Sequence, residues 1–182
     1  MKICIDLDNV LVENTIVEEV FKKHNLMIKE ISWDFREIDE KIKLECYSRF
    51  NDPEVMCNFK PIHGTKTAVE RLNKAGHELV CVTARPNALF GRTMDMLDKH
   101  FPAIDQLVVV GTDDHKFNKL EAYKQYKFDC IVDDCVENID DGIVAGVEHL
   151  YLVSNKKTIW NRKHDFPKDR VKFIEGLKNL DL

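Results

Sequence analysis

Short apolar runs alternate with amphipathic stretches along the chain. The first run is Ile3-Cys4-Ile5 with Leu7. Runs this short and this uniformly apolar are the pattern of strands buried on both faces of a parallel sheet. Comparable runs occupy residues 78–83, 106–110, 128–132 and 148–153. Between them, Ala68, Val69, Leu72 and Ala75 mark one face of a helix, with Gly76 at its C′ position. Asn87 can cap a second helix, whose face is Phe90, Met94, Leu97 and Phe101. Residues 119–126 and about 137–145 read as two more. The tail from Lys168 to Leu180 has Val171, Ile174 and Leu177 at helical spacing and predicts a final amphipathic helix. Strands alternating with helices predict an α/β fold: a parallel, Rossmann-like sheet of about five strands flanked by helices.

The stretch after the first run breaks this rhythm. Thr15 with Glu18 reads as a capping box, with Asn14 as an alternative cap, for a helix through Val17, Val20 and Phe21 to about His24. Asp34 with Glu37 is a second helix start, followed by Ile38, Ile42 and Cys46 on one face. Asn51-Asp52-Pro53 ends that helix. Residues 14–59 therefore read as a small helical insertion, leaving 1–13 and 60–182 as the core.

Composition narrows the class. The chain has 182 residues, 44% of them hydrophobic and 32% charged, which suits one globular domain plus an insertion. Net charge is −5 with no block of Lys or Arg, so a dedicated nucleic-acid binder is not expected. No signal peptide and no apolar stretch of membrane-spanning length is visible, and the reading is a cytoplasmic protein with no membrane partner. Cys4, Cys81 and Cys130 lie within strand-like runs and Cys46, Cys57 and Cys135 elsewhere. With no C-x-x-C pair, they read as small buried hydrophobes in a reducing compartment rather than as a zinc site. Oligomeric state has no sequence signature here.

Candidate chemistry gathers where the runs end. Asp6 and Asp8 close the first run, Thr83 the second and Asp133-Asp134 the fourth. In a parallel sheet these ends share one edge, the edge where α/β proteins bind ligands. Residues two apart in an extended strand point the same way, so Asp6 and Asp8 can face one point, and paired carboxylates there call for a cation.

Asp6-Leu7-Asp8-Asn9-Val10, Thr83 after a strand, Lys119 opening a helix and Asp133-Asp134 after the fourth strand resemble the haloacid dehalogenase superfamily of phosphotransferases. Within it, Val82-Thr83-Ala84-Arg85-Pro86, the run from Val132 to Asn138, and Trp160-Asn161-Arg162 are most similar to the cytosolic 5′-nucleotidase (deoxyribonucleotidase-like) group. Asn9 stands where Gly is common, and Asn tolerates the left-handed backbone such a turn needs. The resemblance implies a phosphomonoesterase dependent on Mg²⁺, acting on a small phosphate ester, with residues 14–59 as its cap. It implies Asp6 as nucleophile and Asp8 as general acid and base. Mg²⁺ would be held by Asp6, the Asp8 backbone carbonyl and Asp133, with Asp134 acting through water or orienting a ligand. Thr83, nearby amides including that of Ala84, the Asn9 amide and Lys119 would hold phosphoryl oxygens, with Lys116 as a rival lysine.

Arg85 is placed either to clamp a substrate phosphate or to pair with an acid. Trp33, Phe35, Phe50 and Phe59 either stack on a nucleotide base or form the cap's own core. A nucleoside 5′-monophosphate is the leading substrate class, with a sugar phosphate and a non-catalytic phosphate-binding module as alternatives.

Overall fold

The computed structural model describes residues 1–26, 38–111, 118–154, 166 and 169–182. Six parallel strands form one sheet in the order β3-β2-β1-β4-β5-β6. They are β1 (Lys2–Ile5), β2 (Glu78–Pro86), β3 (Gln106–Gly111), β4 (Cys130–Asp133), β5 (His149–Val153) and β6 (Val171–Ile174). The helices are α1 (Ile16–Lys23), α2 (Glu40–Phe50), α3 (Pro53–Met56), α4 (Thr65–Lys74), α5 (Phe90–His100), α6 (Lys119–Tyr126) and α7 (Val136–Val144). Among the described residues no helix is long and apolar enough to cross a membrane.

Alternation along β1 divides the core. Ile3 and Ile5 pack with Ala68, Val69 and Leu72 of α4 and with Met96 and Leu97 of α5. Cys4 points to the other face, among Ala122 and Tyr123 of α6 and Ile139 of α7. Both faces of β1 are thus dry, which explains why its sequence is apolar throughout. Helices α1, α2 and α3 enclose a third, separate cluster containing Ile16, Val20, Phe21, Cys46 and Met56. Phe50 and Phe59 pack against this cluster, so their bulk serves helix packing.

Several expectations change. The tail is not a helix: Val171–Ile174 is a sixth strand paired with β5, followed by a 3₁₀ turn at Leu177–Asn179. Val171, Phe173 and Ile174 favour an extended backbone, and the open edge of β5 supplies the ladder; Gly176 would weaken a helix there. Val171 and Leu177 are buried all the same. At α1 no capping box forms. Thr15 donates to Glu19 instead, and the Ile16 N–H bonds the side chain of Asn14. Asp34 and Glu37 lie outside the described residues; α2 begins at Glu40, with the Asp39 side chain accepting from Lys41 N. Asn87 opens a 3₁₀ turn rather than capping α5. Helix α5 buries Thr93, Met96 and Leu97 while Phe90 is exposed, a face rotated from the expected one.

Candidate active site

Beyond β1 the ladder continues for one more bond, from Asp6 N to Val132 O at 2.9 Å. The chain then folds on itself: the N–H groups of Leu11 and Val12 both bond the Leu7 carbonyl. Asn9 takes φ 63°, and its N–H reaches Val12 O at 2.7 Å. This tight turn leaves the carboxylates of Asp6 and Asp8 in two different environments.

Asp6 is the inner one. Lys119, the first residue of α6, places Nζ 2.6 Å from Asp6 Oδ1 and 2.6 Å from Asp133 Oδ2. Asp133 ends β4, and its other oxygen accepts from Cys135 N and Asn138 Nδ2, each at 2.9 Å. Asn9 Nδ2 donates to Asp134 Oδ2 at 3.2 Å. Asp6, Asp133, Asp134 and Lys119 are all buried. Each of the three acids offers one oxygen, and those oxygens lie within 4.8 Å of one another.

Three buried carboxylates and one ammonium leave negative charge in excess. The Asp6 carboxyl is raised to about 7: burial is the largest cause, Asp133 and Asp8 add to it, and Lys119 opposes them. Burial, with Asp6 and Asp133 beside it, also holds Asp134 well above the usual carboxylate range. Lys119 is held well above its ordinary value: burial alone would lower it, but Asp133 and Asp6 outweigh that. A converging set of hard oxygen donors with surplus negative charge can hold a metal ion.

Asp8 is the outer one, its carboxylate not part of that group and its side chain 20% exposed. Arg85 Nε donates to Oδ2 at 2.8 Å and Nη2 to Oδ1 at 2.9 Å. Asn14 Nδ2 donates to Oδ1 at 3.3 Å. Of the two roles open to Arg85, pairing with an acid is the one present. Thr83 is buried near the end of β2, and its Oγ1 accepts from Arg85 N at 3.3 Å. Ala84, between them, is exposed.

The structure therefore joins Asp6 and Asp133 through Lys119, and sets Asp134, bonded to Asn9, close beside them. Asp8, Thr83 and Arg85 form a second set beside these. Trp33, Lys116, Trp160, Asn161 and Arg162 lie outside the described residues. Two contributors escaped the sequence reading. Asn138 orients Asp133, and Asn14, a candidate helix cap in sequence, also holds Asp8. Asn138 lies within the first turn of α7, close behind Asp133-Asp134, and that proximity was the one available signal.

Residues 1–164 match the family described as 5′ nucleotidase, deoxy (pyrimidine), cytosolic type C protein (NT5C). No curated protein matches the sequence significantly. Among solved structures, a haloacid dehalogenase hydrolase (family IA, variant 3) from Entamoeba histolytica is similar over 100% of this chain and 95% of its own, with a TM-score of 0.60 and 13% identity. A D,D-heptose bisphosphate phosphatase from B. bronchiseptica, complexed with magnesium and phosphate, is similar over 98% and 94%, with a TM-score of 0.56 and 15% identity. A haloacid dehalogenase family hydrolase from Deinococcus radiodurans, with bound phosphate and sodium, is similar over 91% and 83%, with a TM-score of 0.56 and 16% identity. At these identities the likeness is one of fold.

Proposed function

We propose that this chain, which belongs to the cytosolic type C 5′-nucleotidase family within the haloacid dehalogenase superfamily, is a Mg²⁺-dependent phosphomonoesterase working through an aspartyl-phosphate on Asp6. The observation that carries the reading is the buried convergence of Asp6, Asp133 and Asp134, with Lys119 paired to the first two. A phosphomonoester dianion repels nucleophiles, so its hydrolysis depends on in-line positioning and charge neutralisation. Asp6, Asp133 and Asp134 would hold the Mg²⁺, which would supply that neutralisation when bound.

Lys119 holds Asp6 Oδ1, leaving Oδ2 to attack phosphorus. As the Asp6 O–P bond forms, the ester P–O bond breaks and the departing oxygen takes a proton from Asp8. Water then attacks the same phosphorus and returns a proton to Asp8, the Asp6 O–P bond breaks, and inorganic phosphate leaves. Residues 14–59 form the cap that selects the rest of the substrate. The family match favours a nucleoside 5′-monophosphate, and the bound magnesium and phosphate of a structural relative are in keeping with the chemistry.

A panel of nucleoside monophosphates, sugar phosphates and other small esters, each with and without Mg²⁺, tests this. Mg²⁺-dependent phosphate release, strongest with nucleotides and abolished in a folded Asp6→Asn variant, is the expected result. Turnover of sugar phosphates alone would move the substrate class. No release from any ester would leave only ligand binding.

A further inference from the structure

We propose that Arg85 is a positioning residue for Asp8, and that Asp8 Oδ2 is the atom that exchanges the proton with the leaving oxygen and with water. The inference rests on the phosphomonoesterase reading above and adds a residue and an atom to it.

The guanidinium is buried and turned onto Asp8. Arg85 is 3% exposed. Its Cζ sits 5.9 Å from the Phe59 ring centroid, on the segment that leads out of the helical insertion. Its backbone is gripped from both sides. The N–H bonds Thr83 Oγ1, and the carbonyl lies against Gly111 of β3 so closely that a Cβ there would fall 2.2 Å from it. Two of the three guanidinium nitrogens are committed to Asp8, and the third, Nη1, is buried and has no hydrogen-bond partner among the described residues. A planar fork fixes both the position and the plane of the carboxylate it binds, which a single-point contact does not.

The two oxygens of Asp8 are unequal as a result. Oδ1 accepts from both Arg85 Nη2 and Asn14 Nδ2. Oδ2 accepts from Arg85 Nε alone among the described residues and keeps a lone pair for a further partner. Proton transfer requires the acid within hydrogen-bond reach and correctly aimed, so the free position on Oδ2 is the one that serves it.

The test separates proton delivery from phosphate binding by leaving group. An alkyl phosphate, taken as the best substrate of the ester panel, must have its leaving oxygen protonated; p-nitrophenyl phosphate leaves as a stable anion and needs no such help. For Arg85→Ala, kcat/KM on the alkyl ester should fall about 100-fold and on p-nitrophenyl phosphate less than about 10-fold, within the range ascribed to general acid catalysis. Arg85→Lys, which keeps the charge but loses the fork, should show the same bias and serves if the alanine variant does not fold. Added to Asp8→Asn, either change should cost little more, because both act on one proton transfer.

Equal losses on the two esters, with a rise in the inhibition constant for inorganic phosphate, would make Arg85 a phosphate clamp and overturn the proposal. Equal losses without that rise, accompanied by a lower melting temperature, would make it structural and overturn it too. If the wild-type protein hydrolyses neither ester, the phosphomonoesterase reading itself has failed. An active wild type with unbiased variants sinks the Arg85 proposal alone.

Discussion

Replacing Lys119 with methionine removes a cation hydrogen-bonded to both Asp6 and Asp133, while keeping nearly the same volume in the core. Each of the two bonds is charge-assisted, and breaking a buried ion pair by deleting one partner costs about 3–5 kcal/mol. For a chain of 182 residues that corresponds to a drop of about 8–13 °C in melting temperature. The cost should depend on pH and on metal. Asp6 is already raised to about 7, with burial the largest cause, and losing Lys119 removes the group that opposes the rise. A carboxyl raised in the folded state binds protons that the unfolded chain has released. Stability therefore declines as pH rises through the folded-state value, and the deficit of Lys119→Met should widen from pH 6 to pH 8. Mg²⁺ should narrow it, because a bound cation replaces the missing charge. Calorimetric melts of both proteins in EDTA and in Mg²⁺, at pH 6, 7 and 8, read all three effects. A loss below about 3 °C in EDTA at pH 8, which is about 1 kcal/mol for a chain of this size, would refute the account of Lys119 as the counter-ion. So would a deficit that Mg²⁺ does not change.

In the wild-type protein the Mg²⁺-induced rise in melting temperature should itself grow between pH 6 and pH 8, since protons compete for Asp6 and Asp134 below their raised values; a metal effect independent of pH would contradict it. Asn138→Ala removes one of the two donors on Asp133 Oδ1 and should raise the Mg²⁺ concentration for half-maximal activity about 10-fold or more, with kcat at saturating metal much less affected. A Mg²⁺ titration of activity measures this, and an unchanged half-maximal concentration would leave Asn138 a helix residue only.

Local chemistry was readable wherever neighbours in sequence are neighbours in space. The apolar runs became β1 to β5 because a strand buried on both faces admits little else, and the turn at Asn9 follows from a residue that tolerates positive φ. Even so, local rules misled where two partners competed. Thr15 and Glu18 satisfy the spacing of a capping box, but Asn14 reaches the Ile16 N–H and Thr15 bonds Glu19 instead. Val171, Ile174 and Leu177 satisfy helical spacing, yet the vacant edge of β5 offered backbone hydrogen bonds that sequence spacing cannot register.

What the sequence by itself determined, then, is a parallel α/β sheet and the gathering of acidic residues at strand ends, because both follow from burial and strand direction. Which carboxylate meets which cation was decided only by tertiary structure. Asp6 and Asp8 are two residues apart, but Lys119 arrives from α6 to hold one, and Arg85 arrives from β2 to hold the other. Side-chain pairing across such distances in the chain depends on where each helix and strand end comes to rest, and no local spacing encodes it.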